Sequence, residues 1–126
     1  MKIQESAEMY LETILVLSRK NGNVRSIDIV GELDYKKSSV SVAMKHLREN
    51  GYIEMDSEGY ITLTDNGREI ADTIYERHMF LSDWLIHLGV APKTAAQDAC
   101  RIEHVISQES IDAIKKQARS KLDKTE

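Results

Sequence analysis

The sequence predicts a mainly α-helical protein with one small β-hairpin near its middle. Three observations predict this. Apolar residues recur at helical spacing over most of the chain. Only residues 51–55 and 59–63 are short, β-rich and alternating, and they flank Asp56-Ser57-Glu58 as a hairpin. Two short helical stretches joined by a tight turn stand directly before that hairpin.

The bulk numbers fit this class. A chain of 126 residues suits one domain or two small ones. It is 41% hydrophobic and 30% charged, an ordinary globular balance. No run approaches the roughly 18 apolar residues of a membrane span, and the first residues, Met1-Lys2-Ile3-Gln4-Glu5-Ser6, lack the apolar stretch of a signal peptide. A cytoplasmic protein without a membrane partner is therefore expected. The single cysteine excludes an intrachain disulfide. Net charge is −4, but its distribution matters more than its sum.

Residues 5–19 read as a helix. Met9, Leu11, Ile14, Leu15 and Leu17 form its apolar stripe, and Asn21-Gly22-Asn23 stops it. Taken alone, Met9 belongs to that stripe and Glu12 faces solvent. Residues 26–33 make a short helix with Ser26 as N-cap and Ile29, Val30 and Leu33 inward. After the turn Asp34-Tyr35-Lys36-Lys37, a helix over 38–50 buries Val40, Ala43, Met44 and Leu47 and ends at Asn50-Gly51.

This pair followed by the hairpin is a winged helix-turn-helix. Lys36, Lys37, Ser38, Ser39, Ser41, Val42 and Lys45 lie at the start or on the exposed side of the second helix, the end that such motifs insert into the major groove of DNA. A helix N-terminus with lysines favours phosphate, while small serines and Val42 admit base edges. The alternative, a solvated helix pair, sits poorly with the hairpin that follows. Residues 36–48 carry four Lys or Arg and no acid, so double-stranded DNA is an expected partner. The wing tip, with Asp56 and Glu58, is acidic and is not expected to hold phosphate strongly.

A long helix follows over 64–88, with Thr64 as N-cap and Gly67 inside the first turn. Ile70, Ala71, Ile74, His78, Leu81, Trp84, Leu85 and Leu88 mark its apolar side. A helix this long for so small a chain suits a connector between a DNA-binding head and a dimer interface, so a homodimer is expected. By itself His78 reads as a packed or surface histidine. Gly89-Val90-Ala91-Pro92 breaks the chain, and a helix is expected over 93–106. Ser107-Gln108-Glu109-Ser110 then caps a last helix, with Glu109 and Ser110 in or near its first turn; Ile111, Ile114, Ala118 and Leu122 stripe it, and fraying is expected beyond residue 118.

Asp98-Ala99-Cys100-Arg101-Ile102-Glu103-His104 carries the chemistry. At i, i+3 and i+4, Cys100, Glu103 and His104 share one helix face, bringing a thiolate, a carboxylate and an imidazole together. Those are ligand types for a divalent transition metal. Other readings stay open on spacing alone. Cys100 could be a core cysteine, or the thiol of a redox- or ligand-sensing regulator; Glu103 could serve a metal hydrolase as base. No Gly-rich loop or further motif shapes a substrate pocket, so an enzyme is not expected.

The order of the pieces resembles the metal-dependent repressors of the diphtheria toxin repressor and manganese transport regulator family. Ala7-Glu8-Met9-Tyr10-Leu11-Glu12-Thr13-Ile14, Val40-Ser41, Leu63-Thr64-Asp65-Asn66-Gly67 and Asp98 to Val105 carry the resemblance, which covers nearly the whole chain. It implies a winged-helix DNA-binding domain over 1–72 and a helical metal-binding and dimerisation domain over 73–126. It also implies repression at a palindromic operator in metal homeostasis. Met9, Cys100, Glu103 and His104 match the regulatory metal ligands of the iron-responsive branch. Glu12 and His78 match ligands of the manganese branch and imply a possible second site, with Glu103 bridging. The ancillary site of the iron branch falls on His78, Ser82 and Ala96, of which only His78 is a ligand type. A thiolate with a thioether is a soft pair, suited to Fe2+, Co2+, Ni2+ or Zn2+ more than to Mn2+; the resemblance implies Fe2+ as the metal, with Mn2+, Co2+, Ni2+ or Zn2+ as alternatives.

Overall fold

The computed structural model describes residues 5–124, with side chains described through Arg119. Leu122 therefore lies outside the described side chains, and residues 1–4, 125 and 126 lie outside the described residues altogether. Six helices and a two-stranded antiparallel sheet are present among the described residues. They fall into two compact units, Met1–Tyr75 and Glu76–Glu126.

In the first unit, α1 (Glu5–Asn21) places Glu5 and Glu8 in its first turn and Arg19 and Lys20 in its last, complementing the helix dipole at both ends. Gly22, at φ 84°, supplies the left-handed residue that ends it. Helix α2 (Ser26–Leu33) differs from expectation at its start. Ser26 is the first helical residue, not the cap. Arg25 holds the extended cap backbone, and its N–H donates to Asp28 Oδ2 at 2.8 Å, so an acid inside the helix does the capping. Asp34, left-handed at φ 56°, closes α2 and turns the chain into α3 (Lys37–Glu49). Leu11, Ile14, Leu15, Val24, Ile29, Val40, Met44 and Ile53 are all at most 1% exposed and form one core. Burying each such side chain contributes about 1.5–3 kcal/mol.

Strands β1 (Ile53–Met55) and β2 (Ile61–Leu63) pair Ile53 with Leu63 and Met55 with Ile61. Ile61 N–H also donates to Val24 O at 2.8 Å, tying the wing to the segment between α1 and α2. At the tip, Asp56 Oδ1 accepts from the N–H groups of Glu58 and Tyr60, both at 2.9 Å. That carboxylate is engaged in closing the turn.

Helix α4 (Asp65–His87) is capped as expected: Gly67 N–H donates to Thr64 Oγ1 at 3.2 Å. Gly67 has no freedom to be anything larger, because a Cβ there would fall on the backbone carbonyl of Tyr52. That same carbonyl accepts from Thr64 N–H at 3.1 Å.

The second unit packs the end of α4 with α5 (Pro92–Ile102) and α6 (Gln108–Lys124) around Leu81, Ala99 and Ile111. Phe80, Trp84, Ile102 and Ile106 close over them. Three expectations are corrected here. Leu88 is 61% exposed, because α4 ends at His87 and Leu88 sits in the turn beyond. Helix α5 stops at Ile102, four residues short of the expected end; Val105 N–H bonds Ile102 O, an i to i−3 closure that tightens the chain out of the helix. The α6 backbone stays helical through Lys124, past the expected fraying point. Ser107 caps α6, its Oγ accepting from Ser110 N–H at 3.0 Å.

Candidate metal centre and DNA-reading helix

Cys100 lies in the last turn of α5. Glu103 is the residue just after that helix, still in the right-handed helical region (φ −57°, ψ −28°), with its N–H on Ala99 O at 2.9 Å. One more helical step therefore survives beyond α5, and the i, i+3, i+4 geometry survives with it. His104 follows in the turn. Ligand atoms of Cys100, Glu103 and His104 all lie within 4.8 Å of one another.

Glu103 is the centre of this cluster and is fully buried. Its Oε2 meets His78 Nδ1 at 2.9 Å and its Oε1 meets His104 Nε2 at 3.2 Å. A carboxylate removed from water is tolerated only with compensating partners. One such partner is the His78 imidazole from α4, in hydrogen-bond contact with Oε2; the His104 imidazole from the turn stands beside Oε1. The side chain of His104 is only 5% exposed, and Cys100 is half-buried. A thiol, a carboxylate and an imidazole this close form a donor set that carries two negative charges once the thiol gives up its proton, suited to a divalent cation. The residues present fit a metal.

The remaining predicted metal ligands belong to the first unit. Met9 is half-buried on α1, and Glu12 is buried on the same helix at 8% exposure. Of the iron branch's ancillary positions, Ser82 and Ala96 offer no metal ligand. Nearby on α1, Tyr10 stacks edge-on against Tyr35, with ring centroids 5.9 Å apart. Burial, and then the neighbouring Tyr35, push the Tyr10 hydroxyl above its ordinary pKa of 10.0.

Lys36, Lys37, Ser38, Ser39, Ser41, Val42 and Lys45 are all exposed, while Val40, Met44 and Leu47 of α3 are buried. Val42 is 56% exposed, an apolar group standing among lysines and serines. The first turn of α3 contains no acid, so its free N–H groups and lysines present one sign of charge. Sequence reasoning missed Arg25. Its guanidinium lies 4.3 Å from the Tyr60 ring centroid and joins the start of α2 to the wing. Nothing in local periodicity marks it, and the sequence reading places the cap of this helix at Ser26.

A winged head followed by a helical unit bearing a sulfur, oxygen and nitrogen cluster defines a class of metal-linked DNA-binding regulator, and comparison with known proteins agrees. Two family models match the chain: the iron dependent repressor N-terminal DNA binding domain over residues 2–62, and the iron dependent repressor metal binding and dimerisation domain over residues 64–120. The transcriptional regulator MntR of Escherichia coli O6:H1 is 34% identical over 112 residues, 89% of this chain and 72% of that protein. An HTH-type transcriptional regulator of Methanocaldococcus jannaschii is 32% identical over 115 residues, 90% of this chain and 92% of its own. Among solved structures, a manganese-dependent transcriptional repressor in complex with manganese superposes with a TM-score of 0.81 at 26% identity, over 88% of this chain and 51% of that one. The manganese regulator SloR gives 0.79 at 22% identity, over 94% of this chain and 55% of that one, a likeness of fold. The chain thus spans about half the length of these two solved chains.

The chain belongs to the iron-dependent repressor family, whose members are metal-dependent transcriptional regulators and not enzymes. These matches lend nothing to the thiol-sensing reading of Cys100. Among the described residues, no helix is long and apolar enough to cross a membrane.

Proposed function

We propose that the protein is an Fe2+-responsive repressor that binds a palindromic operator as a homodimer in the cytoplasm. The observation that carries this is the convergence of Cys100, Glu103 and His104 within 4.8 Å around a fully buried carboxylate. In this reading those three are primary ligands together with Met9, and Glu12 and His78 form a second site with Glu103. The thiolate and thioether favour Fe2+ over the Mn2+ named for one of the solved relatives.

When bound, a divalent cation supplies positive charge and directed bonds at this cluster. The chain's own residues do the rest. Met9 and Glu12 belong to α1 of the winged unit; Cys100, Glu103 and His104 belong to the second unit. Ligands drawn from both make the winged head's position depend on occupancy. In a two-fold dimer that position sets the gap between two α3 helices, which must match half-sites about 34 Å apart. Lys36, Lys37 and Lys45 hold phosphates, and Ser38, Ser39, Ser41 and Val42 approach the bases. Exposed Met79, Ile86, Leu88 and Val105 in the second unit supply apolar surface for the dimer contact.

The test is an anaerobic gel shift on duplexes selected from a random pool, with Fe2+, Mn2+, Zn2+ or a chelator. Fe2+ is expected to tighten binding by about 5–150-fold, the reach of a coupling of roughly 1–3 kcal/mol, and the chelator to reverse it. Cys100→Ala and His104→Ala are expected to remain dimers and lose the response. Equal responses in both variants would contradict the proposal.

A further inference from the structure

One side chain of α4 is committed to the ligand-bearing turn without being a ligand. Arg77 precedes His78. Its Nη1 donates to the backbone carbonyls of Glu103 and Ile106, both at 3.3 Å, and its Nη2 donates to Gln108 Oε1 at 2.8 Å. Gln108 is itself held, donating from Nε2 to Asp112 Oδ1 at 2.8 Å. Arg77 makes no ion pair among the described residues, although an acid stands next to it; Glu76 is taken by Lys115 at 2.6 Å. A cation that spends its fork on two carbonyls and an amide is placed for shape.

The Glu103 carbonyl is one of those left over where α5 ends, at the negative end of the helix dipole. The Ile106 carbonyl lies in the connection just before α6. The two carbonyls bracket the turn that carries Glu103 and His104. Glu103 is consequently held at three points: its N–H by Ala99 O, its C=O by Arg77, and its carboxylate by His78. Two of those three come from consecutive residues of α4.

We propose that Arg77 is a positioning residue of the metal centre. It fixes the backbone of residues 103–106 so that the Glu103 carboxylate and His104 imidazole are presented together with the Cys100 thiol. The planar guanidinium spans both carbonyls and Gln108 at once; a lysine, with a single ammonium, cannot reproduce that span. Supporting groups of this kind tune affinity by orienting ligands. The proposal rests on the reading of Cys100, Glu103 and His104 as ligands.

The experiment is an anaerobic Co2+ titration of the full chain, followed by the thiolate-to-cobalt charge-transfer band and the d–d bands. A band in the wild type that is lost in Cys100→Ser establishes the ligand reading; no band in the wild type overturns that reading, whatever Arg77 does. With the band present, Arg77→Gln is expected to weaken Co2+ binding by about 10–100-fold and to alter the d–d bands, and Arg77→Lys to recover only part. Gln108→Ala, which removes one anchor of the guanidinium at an exposed position, is expected to weaken binding several-fold in the same direction, and it decides the matter if Arg77→Gln does not fold. Lys115→Gln breaks a neighbouring ion pair without touching the turn and is expected to leave affinity and spectrum unchanged. Wild-type affinity and bands in the folded Arg77→Gln or in Gln108→Ala would overturn the proposal. So would a Lys115→Gln variant as impaired as Arg77→Gln.

Discussion

Single side chains set both the stability of the winged unit and the chemistry of the metal cluster. Gly67 is the clearest stability case. The sequence places it in the first turn of α4, but only the structure gives the reason, the Tyr52 carbonyl where a Cβ would stand. Gly67→Ala is expected to destabilise the protein by about 1–3 kcal/mol, as overpacking does, seen as a lower midpoint in thermal unfolding; an unchanged or raised midpoint would count against the packing argument. In the proposed metal chemistry the decisive residue is Cys100. Cys100→Asp replaces a soft ligand with a hard one and is expected to shift preference from Fe2+ and Co2+ toward Mn2+, measured by competitive titration. The cluster was legible because Cys100, Glu103 and His104 are close in sequence and helical spacing alone brings them together. Arg25 and Arg77 were not legible, because their reach joins elements distant in sequence, Arg77 extending to Gln108.

Among the elements, α3 and α5 divide the work. Helix α3 could be read from sequence almost whole, since its buried and exposed faces separate cleanly at the 3.6 period. The end of α5 could not. The apolar pattern runs on through Ile102 and Ile106, so periodicity extends the helix, whereas the backbone leaves it at Ile102 through an i to i−3 bond. Cys100, Glu103 and His104 stay together regardless, because Glu103 keeps helical dihedrals for one more residue. The cap of α2 was misplaced by one residue because Ser26 looks like an N-cap, yet Asp28 does that work from within. For α3, Lys37→Ala is expected to weaken DNA binding uniformly across sequences and to lower the salt slope by about one unit, as removal of a phosphate contact does. Val42→Ala is expected instead to change sequence preference at fixed salt slope. Filter binding across a salt series separates the two, and identical behaviour would refute this division of α3.

At the scale of the whole molecule, a chain of net charge −4 keeps residues 36–48 free of acids with four Lys or Arg, while Cys100, Glu103 and His104 gather within 4.8 Å of one another. In the proposed dimer a second copy covers the apolar residues left exposed in the second unit. Leu88→Glu together with Val105→Glu is expected to yield monomer in sedimentation equilibrium and to abolish tight operator binding. The account's central claim is that occupancy of the cluster around Glu103 and DNA binding by α3 are one coupled equilibrium. Linkage makes such coupling reciprocal, so the most direct measurement is the Fe2+ affinity of the dimer with and without saturating operator duplex. The account predicts that DNA tightens Fe2+ binding by the same factor by which Fe2+ tightens DNA binding, about 5–150-fold. Equal Fe2+ affinities in the presence and absence of DNA would contradict it.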